Sequence, residues 1–137
     1  MSSLLTPVLA LNVWTLIVWI WMYATRIPAM NAARIDPDTA KHPGSLDALP
    51  TRVRAVADNY NHLMEQPTIF YALVFTIVLA GHSDTLHVDL AWGYMGLRVV
   101  HSLVQNTVNR VTLRFMVFAL STLVLMAMAA REVLAVV

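Results

Sequence analysis

The sequence contains no cysteine. That absence excludes a disulfide framework, a protein thiolate nucleophile and a cysteine-ligated metal, so any thiol chemistry has to use a thiol carried in by a ligand. Charge is scarce as well: 12% of the 137 residues are Asp, Glu, Lys or Arg against 58% hydrophobic, and mean hydropathy is +0.64. Such a balance excludes a soluble domain of ordinary composition and leaves an integral membrane protein. The sequence has no internal repeat and no low-complexity segment. Lysine and arginine are missing from the N-terminal residues and from GHSDTLHVD (81–89), so the net charge of +1 conceals a lopsided distribution.

What is present is apolar sequence in lengths suited to a bilayer. Residues 4–25, LLTPVLALNVWTLIVWIWMYAT, carry no charge, and about 22 helical residues at roughly 1.5 Å each cross a hydrocarbon core of about 30 Å. A cleaved signal peptide is disfavoured by the length, the missing basic n-region and the lack of a small-x-small cleavage site. The next run, PTIFYALVFTIVLAG (67–81), is too short alone, so its helix has to include the polar run before it, ADNYNHLMEQP (57–67). Two more crossings are expected over 86–108 and 111–136, with the second over 51–80. Pro28, Pro37, Pro43, Gly44 and Pro50 predict a loop over 26–50. The expected fold is all-α, a single domain over 1–137 forming a four-transmembrane-helix bundle.

Arg26, Arg34, Lys41, Arg52 and Arg54 fall in or beside the long loop, and Arg110 and Arg114 flank the third connection, whereas the other side has only Arg131. The positive-inside rule then puts the loop in the cytoplasm and both termini outside. Arg54, Asp58, His62 and Glu65 follow at steps of four, four and three, with Asn61 beside them, and so share one helix face. That face is either a string of internal ion pairs, Arg54 with Asp58 and His62 with Glu65, or one wall of a binding site. The third helix carries Arg98, His101 and Gln105 at the same kind of spacing, then Asn106 and Asn109. An arginine midway along a crossing costs about 2.5–3.5 kcal/mol, so Arg98 is expected to face inward and pair with Asp58 or Glu65. Both clusters end on the basic side. Together they predict an arginine-rich pocket for an amphiphilic anion, opening to the cytoplasm.

At these residues the sequence resembles the MAPEG superfamily, membrane-associated proteins in eicosanoid and glutathione metabolism, over most of its length, and looks closest to bacterial members. The resemblance is carried by RAVADNYNHLMEQPTIFY (54–71) and RVVHSLVQNTVNRVTLRF (98–115). It implies a homotrimer in a bacterial inner membrane, with glutathione held between subunits at the cytoplasmic face. It also implies a transferase or peroxidase acting on lipophilic electrophiles drawn from the lipid. Arg54, Asn59 or Asn61, Glu65, Arg98, His101, Gln105 and Arg110 would hold the peptide by that resemblance, and Arg114 would be the catalytic residue that stabilises its thiolate. Where catalytic members have a serine after the thiolate arginine and a tyrosine four positions on, this chain has Phe115 and Phe118, and Gln105 replaces a tyrosine of the third helix. Those exchanges favour the alternative of a non-catalytic binding or structural module that keeps the anion pocket.

Three further features are weaker. The histidines and aspartates of HSDTLHVD match no common ligand spacing, so no metal is expected. Nothing calls for a nucleic-acid partner, and an ion pathway through Asp58, Glu65, Arg98 and His101 is disfavoured because the polar residues gather on one side. Gly93 and Gly96 would permit close helix approach within the bundle.

Overall fold

Leu4, Leu11 and Val18 recur every seven residues and are all buried, as are Leu63, Phe70 and Ile77. A seven-residue recurrence keeps one apolar seam facing a neighbouring helix, and these two seams form half of the central core. The computed structural model describes residues 3–137 and is all-helical, as the composition requires. Four helices run up and down: α1 (Leu5–Ala32), α2 (Thr51–Leu79), α3 (Thr85–Asn106) and α4 (Val111–Val136). By length and composition, α1, α2 and α4 can each cross a membrane. Helix α1 packs chiefly on α2, and α3 chiefly on α4.

Helix α1 departs from the sequence expectation, running through Pro28 to Ala32 instead of ending near position 25. A helix-interior proline forfeits a backbone hydrogen bond and costs about 3 kcal/mol. Here tertiary contact offsets it, because Met30 is buried against Leu49 and Val53, fastening the extension to the connection and to α2. The helix ends where Arg34 adopts a left-handed conformation (φ 57°) and Ile35 N–H bonds to Met30 O at 3.0 Å. The connection that follows holds only two short 3₁₀ turns, Pro37–Thr39 and Pro43–Leu46.

Helix α3 is built inside out relative to a lipid-facing helix. Its buried face reads His87, Ala91, Tyr94, Arg98, His101, Gln105, at alternating steps of four and three, while Trp92, Val100 and Leu103 are exposed. Polar side chains thus point into the bundle, which explains why apolarity alone does not mark α3 as a crossing. Tyr94 stacks on Phe70 with ring centroids 4.5 Å apart, and its hydroxyl donates to Gln66 Oε1 at 3.1 Å. Gln66 in turn donates to Thr122 on α4 at 2.9 Å. The glycine expectation is corrected: a Cβ added at Gly93 or Gly96 would meet nothing within 4 Å, so neither residue mediates close packing inside this subunit.

At the end of the bundle remote from the α1–α2 connection, polar side chains tie three helices together. Asp84 caps α3 by accepting from His87 N–H at 2.8 Å, and Arg131 of α4 donates to both its oxygens at 3.1 and 2.7 Å. His82, just beyond α2, meets the buried Glu132 at 2.8 Å. Asp84 and His82 of this segment therefore serve as a cap and as ion-pair partners. The Arg131 guanidinium and then the His87 amide hold the Asp84 carboxyl well below the usual carboxylate range. A depressed folded-state value means that its contribution to stability is complete above about pH 4 and is lost as pH falls below that. Asp84→Asn is therefore expected to lower the melting temperature by a few degrees at neutral pH. The gap to the wild type should close in more acidic buffer, which paired thermal melts would check.

Candidate functional site

Because α2 and α4 both start at the end where α3 finishes, their first turns and the last turn of α3 converge on one polar region. Three adjoining cavities occupy it, of about 660, 330 and 220 Å³. The largest is amphipathic. Ile69, Val111, Phe115 and Phe118 form its apolar wall, and Glu65, Arg98, His101 and Arg114 its polar one. The middle cavity is lined by Asp58, Asn61 and Glu65 with Gln105, and the smallest by Arg54, Asp58, Gln105 and Asn109. Arg114 lines all three. A size of several hundred Å³ with convergent polar groups on one side suits a small molecule.

Of the residues expected at the site, Arg54, Asn61, Glu65, Arg98, His101, Gln105 and Arg114 line at least one of these cavities. The two candidate asparagines separate. Asn59 is completely buried and donates to Gln105 Oε1 at 3.1 Å, whereas Asn61 is exposed at the middle cavity. The same Gln105 oxygen accepts from His62 Nδ1 at 3.2 Å, so one amide on α3 gathers two side chains of α2. Arg110 stands outside these cavities, exposed at the N-cap of α4.

Partner assignments differ from the sequence expectation. Arg54 pairs with Asp47 of the connection at 3.1 Å instead of with Asp58, and His62 bonds to Gln105 instead of Glu65. A step of four places two residues on one face without fixing their rotamers, and an exposed pair gains little. Arg98 is 1% exposed yet has no carboxylate within ion-pairing distance among the described residues. It makes one long hydrogen bond, 3.4 Å to His62 O, and sits over the Phe118 ring with Cζ 5.9 Å from the centroid. Among the described residues its Nε and Nη1 find no partner, nor does the Nδ1 of neighbouring His101. Burial of a guanidinium with idle donors is unfavourable, and such a group gains from an acceptor supplied by a ligand.

Sequence reasoning counted Asn109 in the polar set of α3 and Phe118 as the replacement for a tyrosine, but named no partner for either and gave Gln66 no role. Asn109 is left-handed (φ 47°) at the α3–α4 turn, and its Oδ1 accepts from Arg114 Nη1 at 2.8 Å. The signal was available, since asparagine is the residue other than glycine most at home there. Phe118 as an arginine platform leaves no signal in spacing alone.

Chemically, the arrangement offers cations for carboxylates, exposed carboxylates at Asp58 and Glu65 for an ammonium, and an apolar wall for a greasy group. No curated protein and no solved structure matches the chain. Residues 4–134 match the model of the MAPEG family, and the chain belongs to that family.

Proposed function

We propose that this member of the MAPEG family is a glutathione-dependent transferase or peroxidase acting on lipophilic electrophiles drawn from the bilayer. The observation that carries the proposal is Arg114 lining both the amphipathic cavity and the two polar ones. A peptide with two carboxylates, one ammonium and a thiol suits the polar cavities, with Arg54 and Arg114 as cations and Glu65 as anion. A cation beside the thiol lowers its pKa from about 8.5 towards neutrality, giving the sulfur the charge it needs to attack. In conjugation the sulfur forms a bond to an electrophilic carbon, and the leaving group departs with the electron pair of the bond that breaks. The electrophile would rest against Phe115, Phe118 and Ile69.

Assembly as a homotrimer, with the site between subunits, belongs to the same proposal. Asp58, Asn61 and Glu65 are exposed on α2. A polar face at membrane depth needs cover, and a second subunit provides it. The basic connection is assigned to the cytoplasm and both termini to the outer side of a bacterial inner membrane, on the distribution of lysine and arginine. Protein in detergent should bind glutathione saturably and conjugate a chloronitrobenzene-type electrophile. Loss of both, under conditions where a family enzyme works, would reject the reading.

One feature favours a non-catalytic binding module. Phe115 and Phe118 line the large cavity beside Arg114, and neither can donate a hydrogen bond to sulfur. A module of that kind would bind glutathione without a thiolate absorbance band near neutral pH.

A further inference from the structure

Arg114 starts from an unfavourable position. It lies in the first turns of α4, with Arg110 as the N-cap. Helix N-termini carry a partial positive charge, so two cations there repel both the helix end and each other. A long side chain so placed swings outward into water unless something holds it. Here the hold is the Asn109 amide oxygen, 2.8 Å from Nη1, the one side-chain hydrogen bond that Arg114 makes among the described residues. Asn109 is itself fixed, because its backbone N–H bonds to Val104 O at 2.7 Å while its left-handed conformation turns the chain from α3 into α4. Both residues line the smallest cavity. An arginine has five N–H donors, so a single bond to Asn109 aims the guanidinium while leaving the rest of the fork for an occupant.

We infer that Asn109 is a positioning residue: it fixes the orientation of the Arg114 guanidinium and thereby tunes the pKa of the thiol bound beside it. The inference rests on the glutathione reading above and adds how this site is set. A neutral acceptor is the suitable choice for the task. It fastens the arginine without cancelling its charge, whereas a carboxylate at the same position would fasten it equally well and weaken its hold on an anion.

Two substitutions separate this role from that of a simple turn residue. Asn109→Gly keeps the left-handed conformation and removes the oxygen, and Asn109→Ala removes it too at a modest backbone strain, neither adding a charge. Each is titrated with glutathione in detergent, and the ultraviolet band of the bound thiolate is followed against pH. Asn109→Gly is expected to keep the melting temperature near wild type, weaken glutathione about five-fold, and raise the midpoint of the thiolate band by about one pH unit, the order of shift a nearby cation produces. Asn109→Ala is expected to raise the same midpoint. A turn role alone predicts wild-type midpoints for both of these neutral variants, and that result overturns the inference. If Asn109→Gly fails to fold, Asn109→Ala decides on the same criterion. A wild-type protein that binds no glutathione overturns the underlying reading as well. Wild-type binding with unshifted variants overturns this inference alone.

Discussion

Arg114→Lys is expected to weaken glutathione binding by about ten-fold or more, while Arg131→Lys at the other end of the bundle leaves affinity unchanged. The two arginines differ in what their planar forks do. Arg114 gives one arm to Asn109 and lines the three cavities of the site, whereas both arms of Arg131 are engaged with Asp84. A lysine at 114 retains the charge and loses the fork, so it cannot reach Asn109 and an anion in one geometry. Ten-fold corresponds to about 1.4 kcal/mol, within the range of a single charge-assisted hydrogen bond. If Arg114 merely snorkels towards water, either cation serves and the dissociation constants of wild type, Arg114→Lys and Arg131→Lys coincide. Isothermal titration of the three proteins decides between them.

Arg98→Met should stabilise the ligand-free protein, a result opposite to the usual effect of replacing a buried polar residue. The guanidinium is 1% exposed, holds one long bond to a carbonyl and a ring face, and leaves Nε and Nη1 without partners among the described residues. Replacing buried charge by an apolar side chain of similar length is often neutral or stabilising by about 1–4 kcal/mol, and an arginine at mid-membrane costs a similar amount to insert. The melting temperature in detergent without ligand is therefore expected to hold or rise by several degrees. The further rise that saturating glutathione gives the wild type should shrink, because that rise reports binding to the folded state. A ligand-free protein that melts several degrees lower would assign Arg98 to the scaffold instead.

Those two arginines also show how far the sequence was readable. Uncharged and near-uncharged runs give the membrane class and three of the four helices, because the bilayer fixes the length of a crossing and forbids unsatisfied backbone. Spacing at three and four residues on α2 and α3 gives the faces, and these do line the cavities. Spacing is silent about what stands opposite. Among the described residues the carboxylate sought for Arg98 is not there; a phenylalanine ring and a carbonyl are, and Arg54 turns to Asp47 in a segment with no periodicity at all. Pro28 fails as a boundary for a related reason, since a local rule yields to the packing of Met30 against residues near position 50.

The inward polar stripe of α3 has its heaviest cost before the bundle exists. During biosynthesis a segment bearing His87, Asp89, Arg98, His101 and Gln105 meets the translocon without the neighbours that later shelter most of it, and Arg98 alone adds about 2.5–3.5 kcal/mol to its partition into lipid. Helix α4, with mean hydropathy 2.0 over its most apolar stretch, follows after a turn of only four residues, 107–110. We therefore expect α3 to enter the membrane as half of a hairpin with α4, its retention delayed until α4 emerges. Glycosylation mapping of α3 alone and of the α3–α4 pair would test this, and efficient insertion of α3 by itself would refute it. On this view the residues proposed to hold an anion also set the order in which the chain is threaded into lipid.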